Sequence, residues 1–214
     1  EFPILNESQY PQAYQYLYDI RDRILASDKV FYGDRFPWQI RIIEDDNTLN
    51  AFAAPGGYLY FYTGLLKFLD RESSLAGVMA HEMAHADRRH STDQLTKVYG
   101  ISLMLAVILG DNQNVLSDIA ATLATLQFSR DAEEEADEYS VIYLCPTEYQ
   151  ADAAADFFEK LEQQGQTGAP PEFLSTHPSP ENRIQDIRQL AQTMGCVGTT
   201  ENQQEYQQFL NTLP

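Results

Sequence analysis

The sequence predicts an α+β fold, mainly helical, with one small three-stranded, mostly antiparallel sheet in a single domain over residues 1–214. Apolar residues recur at helical spacing over most of the chain. One region alone, residues 38–62, carries the β-branched and aromatic alternation of strands, broken by Pro55-Gly56-Gly57. A length of 214 residues suits one domain with a sizeable core.

An extended lead-in ends at the polar Asn6-Glu7-Ser8, which can cap the first helix. Over 9–27, Tyr10, Ala13, Tyr14, Leu17, Ile20, Ile24 and Leu25 share one face, an N-terminal amphipathic helix whose tyrosine stripe suits packing. Strands come next at 38–43, 50–53 and 58–62, the first two joined by the turn Glu44-Asp45-Asp46-Asn47. A short helix opens at Thr63-Gly64 and runs through Leu69. From Glu72 to about His90 the pattern is helical and apolar on nearly all sides, so this helix belongs in the core. The sheet and this helix form the unit 38–90, and a helical half covers 91–214.

Residues 91–110 and 115–128 read as two helices joined by Asp111-Asn112-Gln113-Asn114. They make an apolar hairpin that suits core packing, a flap over a cleft, or a surface resting on a membrane or partner. The next helix opens at Ser129 and stops at Leu144, before Pro146. Another spans 148–164, and breakers at 165–171 lead into the proline-stiffened run Phe173 to Pro180. A helix from Ser179 or Pro180 to Met194 and a short one over 201–211 complete the chain.

Composition excludes several classes of function. With 43% hydrophobic residues, 13 Tyr and 11 Phe, disorder is not expected. A formal charge of −18 argues against nucleic acid, which demands a basic face, and against docking on anionic lipid by charge. The longest apolar run, Ile101 to Leu109, falls well short of the ~20 residues that span a bilayer. Cys145 and Cys196 each sit just past an expected helix end. They suit one disulfide in an oxidising compartment, with two inert thiols as the alternative.

One motif carries chemistry. In His81-Glu82-Met83-Ala84-His85 the two histidines are one helical turn apart on one face. Both imidazoles can reach one metal ion at the ~2.0–2.1 Å that zinc requires. Glu82 points beside the metal, where a general base takes a proton from a water that zinc has acidified. Burying His81 and His85 without a partner would be costly, so something must satisfy them. His90, in the polar run Asp87-Arg88-Arg89-His90, reads as a helix end or solvated surface, with metal ligation as the lesser alternative.

The acidic helix from Ser129 offers the third ligand. Ala132, Ala136, Tyr139 and Tyr143 mark its buried face, and Glu133, Asp137, Ser140 and Leu144 form the adjoining stripe. Glu133 is therefore the acid best placed to complete the metal site, with Asp137 one turn on as a hydrogen-bond acceptor behind it. Glu134, Glu135 and Glu138 point further out.

Four segments in order resemble the M48 group of zinc metallopeptidases. These are gluzincins, related to membrane CAAX-processing and HtpX-type proteases and to periplasmic assembly-quality-control peptidases. The segments are Asn50 to Tyr58 with Thr63-Gly64-Leu65-Leu66, the motif His81 to His85, Ser129 to Asp137, and Thr176-His177-Pro178 with Arg183 and Ile184. The resemblance implies a zincin-like metallopeptidase domain holding one Zn2+ through His81, His85 and Glu133, with Glu82 as base. It implies that Asp137 orients a ligand histidine. Asn50, Ala51, Phe52 and Ala53 would form a rim strand that pairs with extended substrate. His177 would stabilise the oxyanion or occupy the fourth zinc position, and Arg183 would support this loop or pair with an acid near the site.

The expected function is a zinc-dependent endopeptidase acting on extended or unfolded protein segments, in envelope protein quality control. The alternative is a latent or non-catalytic zinc-bearing binding module, blocked by the His177 loop. Protein or peptide substrates are expected, with no nucleic acid and no transmembrane segment, and peripheral membrane or envelope-complex association stays open. The resemblance places the chain in the periplasm or cell envelope, as an exported protein.

Overall fold

The structure, a computed structural model, describes residues 2–109, 119–165, 172–178 and 182–214. Helix α1 (Pro11–Leu25) opens with proline at a position where its missing N–H costs nothing. It buries Ala13, Tyr14, Leu17, Ile20 and Ile24, the stripe its periodicity predicts. The Tyr14 hydroxyl donates to the Leu5 carbonyl at 2.7 Å and accepts from the Ile42 N–H at 3.2 Å, so the stripe is packing and not a binding surface.

Three strands come after it: β1 (Gln39–Ile43), β2 (Ala51–Ala54) and β3 (Tyr58–Tyr62). The turn between β2 and β3 places Gly56 and Gly57 at φ +88° and +79°, where side chains are strained, and this closes an antiparallel pair. β1 lies on the other side of β3 and runs parallel to it. The sheet is therefore mixed, where a mostly antiparallel one was expected. The link from β1 to β2 reverses the chain and the hairpin reverses it again, so β3 runs alongside β1 in the same direction.

Alternation along the strands feeds two apolar layers. Ile40, Ile42, Ala51, Ala53, Leu59 and Phe61 face the main core, while Ile43, Phe52, Ala54 and Tyr62 face a smaller cluster with Leu95, Ile119, Ala120 and Leu123. Helices α2 (Thr63–Phe68) and α3 (Glu72–Asp87) come next. Every residue of α3 is buried, and a buried carboxylate pins each end. Glu72 Oε1 accepts from Arg23, Tyr149 and Asn202 at 2.6–2.8 Å. Asp87 accepts from the backbone of Phe31 and Tyr32 and from the Tyr143 hydroxyl.

Helix α4 (His90–Leu109) bends at Gly100. The expected apolar hairpin is described only in part, since 110–118 lie outside the described residues. Its second arm is helical at 119–123 and ends there, not at Phe128; residues 126–129 are irregular, leading to Ser129, whose hydroxyl caps the next helix. No helix among the described residues is long and apolar enough to cross a membrane.

The remaining helices are α5 (Arg130–Leu144), α6 (Ala153–Gly165), α7 (Glu172–Thr176), α8 (Arg183–Met194) and α9 (Gln203–Leu210). Sequence periodicity missed the five-residue α7. It started α6 too early, because residues 149 and 200 form a bridge before that helix begins. The expected start of α8 at Ser179 or Pro180 falls outside the described residues. Cys145 and Cys196 are joined in a disulfide.

Candidate metal centre

The site lies where α3, α5 and the α7–α8 segment converge. Helix α3 presents His81, Glu82 and His85 from its middle and last turns. On α5 the most deeply buried stripe is the one bearing Glu133, Asp137, Ser140 and Leu144, while Ala132 and Tyr139 are only half-buried. The stripe judged to adjoin the buried face is thus itself the buried one. Carboxylates can go there because each meets a cation or an imidazole.

Nε2 of His81 and Nε2 of His85 stand 3.1 Å apart. Glu133 reaches between them, its oxygens 3.5 Å from His81 Nε2 and 3.3 Å from His85 Nε2. Ligands at about 2.0–2.1 Å around a tetrahedral ion stand about 3.3 Å from one another, so these separations suit a shared zinc-sized ion. His177 completes a group of four whose donor atoms all lie within 4.8 Å of one another. Its Nδ1 is 3.0 Å from Glu133 Oε1 and its Nε2 is 3.5 Å from Glu82 Oε1. His81, Glu82, His85, Glu133 and His177 are all fully buried. Two imidazoles and a carboxylate, buried with their donor atoms turned inward, are the chemistry of a zinc site.

Asp137 and Arg183 stand behind this group. Asp137 Oδ1 is 2.9 Å from His81 Nδ1, on the side of the ring away from the centre. Arg183 opens α8, at a helix N-terminus where a cation is disfavoured. Two carboxylates hold it there: Nε donates to Asp137 at 2.7 Å and Nη2 to Glu133 at 2.7 Å, with the guanidinium 3.6 Å above the Phe158 ring.

The electrostatics divide the acids and bases. Burial opposes charge on Glu133, yet His177 and His85 hold its carboxyl well below the usual range. Burial pushes Glu82 up, and the neighbouring His177 and His81 offset this only in part. Burial also drives His85 well below the ordinary imidazole range. For His81 burial acts downward, but Asp137 and Glu133 outweigh it and hold the ring up at about 9. Negative potential is therefore concentrated where a cation would bind. Both oxygens of Glu82 and Nε2 of His177 are buried without a hydrogen-bond partner among the described residues.

The expected rim strand is covered. Ala51, Phe52 and Ala53 are all at most 1% exposed, and Asn50 is fully buried. Ala51 N–H donates to Asn50 Oδ1 at 2.9 Å, and the Ala53 carbonyl accepts from Ser91 Oγ at 2.6 Å. Phe128 closes the other side, its ring stacked 4.0 Å from His85 and its N–H donating to the Thr176 carbonyl at 3.0 Å. In this state the strand is no open edge.

His90 does stand at a helix end, opening α4, but it is not solvated surface. It is 8% exposed, and its Nδ1 lies 3.1 Å from His85 Nδ1. Glu135, expected to point outward, meets His90 Nε2 at 3.0 Å and Arg88 Nε at 2.8 Å. In a continuous helix His90 would stand about 140° around from His85. Arg89 instead adopts a left-handed φ of +69°, ends α3 and turns His90 back toward the site. No periodicity announces such a break.

Comparison with known proteins agrees with this geometry. The model of peptidase family M48 matches residues 11–191, and the chain belongs to that family. It is 32% identical to the beta-barrel assembly-enhancing protease of Escherichia coli over 90% of this chain and 41% of that protein. It is 29% identical to the protein of the same name from Yersinia pestis, over 90% of this chain and 42% of that one. It is 34% identical to the mitochondrial metalloendopeptidase OMA1 of Schizosaccharomyces pombe, over 71% of this chain and 46% of that one. The chain thus spans less than half the length of these relatives.

Proposed function

We propose that this M48 member is a zinc-dependent endopeptidase that hydrolyses peptide bonds in extended or unfolded protein segments, in protein quality control at the cell envelope. One observation carries the reading: His81, His85 and Glu133 converge at ligand spacing, with Glu82, whose oxygens have no hydrogen-bond partner among the described residues, beside them. His81, His85 and Glu133 would hold the zinc ion, which supplies Lewis acidity toward water and a peptide carbonyl. Glu82, raised in pKa by burial, takes the proton of the attacking water and hands it to the leaving amine. Asp137 fixes the ring of His81, and Arg183 holds Asp137 and Glu133 in register. His177, once displaced toward substrate, would donate to the developing oxyanion.

Asn50 to Ala53 would pair with an extended substrate after the cover of Phe128 and the α7 segment withdraws. Envelope location is supported by the disulfide, which persists in oxidising compartments, and by relatives named for assembly of beta-barrels. Partners would then be protein substrates and envelope complexes.

A specific observation favours a second reading, a latent state. His177 lies inside the buried group of four, and a closed four-ligand shell is the mark of a structural and not a catalytic site. Zinc content after reconstitution, measured with cleavage of casein, separates the two. Zinc with cleavage by the parent supports an open enzyme. Zinc without cleavage, and activity gained in His177→Ala, means a protease gated by its own loop. Zinc without cleavage in either protein leaves a binding module, and no zinc at all overturns the metal reading.

A further inference from the structure

Only one ring nitrogen of His85 faces the cluster. Its Nε2 stands among His81 and Glu133, while its Nδ1 points the other way, 3.1 Å from His90 Nδ1. Beyond His90 lies Glu135, and beyond Glu135 lies Arg88. We propose that His90 and Glu135 are positioning residues of the metal centre, a carboxylate relayed through one imidazole that fixes the tautomer of His85 and presents its Nε2 lone pair to the ion. This rests on the zinc-site reading of His81, His85 and Glu133.

Counting donors gives the assignment. An ionised Glu135 only accepts, so a His90 that carries a single ring proton donates to it from Nε2. His90 Nδ1 is then a lone pair, and it can meet His85 Nδ1 at 3.1 Å only by accepting a proton from it. His85 therefore carries its hydrogen on Nδ1 and leaves Nε2 bare, as a metal ligand must. His81 Nδ1 lies directly against a carboxylate, 2.9 Å from Asp137 Oδ1, though without the alignment of a hydrogen bond. The two ligand histidines are thus backed differently, one by a buried carboxylate and one by a half-exposed carboxylate acting through a second ring.

The surroundings hold the relay in place. Arg88 occupies the second oxygen of Glu135 and lies 4.3 Å over the Tyr139 ring, so the carboxylate is oriented from two sides. The left-handed backbone at Arg89, a conformation that side-chain-bearing residues seldom adopt, delivers His90 to His85. A surface bridge between α3 and α5 would need no second histidine; an Arg88–Glu135 pair alone would make one.

The test uses the full chain and Zn2+ itself. Zinc affinity is measured by competition with a chromophoric chelator. Imidazole tautomers are read by 15N NMR on metal-free protein at mildly alkaline pH. The parent should show His85 protonated at Nδ1 and His90 at Nε2. His90→Phe removes the acceptor and should weaken zinc binding about 10–100-fold, the usual cost of losing such a partner. His90→Gln should recover most of that, because its carbonyl can accept from His85 while its amide donates to Glu135. Zinc affinity equal to the parent's in His90→Phe overturns the proposal, as does a parent His85 protonated at Nε2. Should His90→Phe fail to fold, Glu135→Ala at its half-exposed position serves instead: it should weaken zinc binding and mix the His90 tautomers, and no change in either overturns the relay. A parent that binds no zinc overturns the metal reading, and its tautomers still judge the relay separately.

Discussion

Glu82 is the carboxylate in this cluster whose oxygens have no hydrogen-bond partner among the described residues, His177 Nε2 standing 3.5 Å away, and burial drives it toward the protonated form. In the proposed role of base it should be dispensable for binding and indispensable for turnover. Glu82→Gln is expected to keep zinc at parental stoichiometry and to lose about 10²–10⁴-fold in kcat/KM, measured on the form of the protein that cleaves casein. Retained cleavage would remove Glu82 from the role of base. Arg183 poses the opposite case, a buried cation held by two acids. Arg183→Met leaves Glu133 and Asp137 without it and should cost the metal-free protein about 3–5 kcal/mol in urea unfolding. Saturating zinc should shrink that loss, since the ion then balances Glu133; an equal loss with and without zinc would separate Arg183 from the site.

At the scale of elements, α3 is the piece on which the others are assembled. It is buried on every side and pinned at each end by Glu72 and Asp87. Gly77, one turn before His81, lets its backbone meet the start of α6: a Cβ there would stand 2.5 Å from Ala154 N and 2.8 Å from Ala153 C. Gly77→Ala should therefore destabilise the protein by about 1–3 kcal/mol through overpacking. The sign is diagnostic, because in an unpacked helix the same change stabilises by about 1 kcal/mol. A shift of the urea midpoint to higher denaturant would show that α3 and α6 are less closely packed than the structure has them.

For the whole molecule, the disulfide closes the largest covalent loop. Cys145 follows α5 and Cys196 follows α8, 51 residues apart, so the loop encloses α6, His177 and Arg183. The chain-entropy account assigns a loop of that length about 4 kcal/mol. A Cys145→Ser, Cys196→Ser double variant should lose stability of that order in denaturant unfolding, with the 2–5 kcal/mol typical of native disulfides as the range. Loss of less than 1 kcal/mol would mean that packing of α8 on α5 and α6 alone fixes this half. Zinc should act in the same direction, raising the unfolding temperature by mass action, about 4 kcal/mol at a thousandfold excess over its dissociation constant. No shift on adding zinc would contradict the ligand set.

The sequence by itself determined most of the helices, the strand region and the residues His81, Glu82, His85, Glu133 and Asp137 that the fold brings together. Those features are local: Ile, Leu and Tyr spacing sets a helix face, and the His81–His85 spacing sets two imidazoles one turn apart on one face. The stripe of Glu133 and Asp137 was legible too, since period 3.6 separates it from Glu134 and Glu138, although it was read as adjoining the buried face and proved to be that face. Tertiary structure alone decided the rest. The parallel pairing of β1 with β3 depends on how the intervening chain turns, which alternation does not encode. Phe128 reaches the site because its helix stops at residue 123 and the irregular chain beyond carries it onto His85. His90 joins it because Arg89 leaves the helical region, a single backbone rotation that moves a side chain from one face to the opposite one without any trace in the hydrophobic pattern.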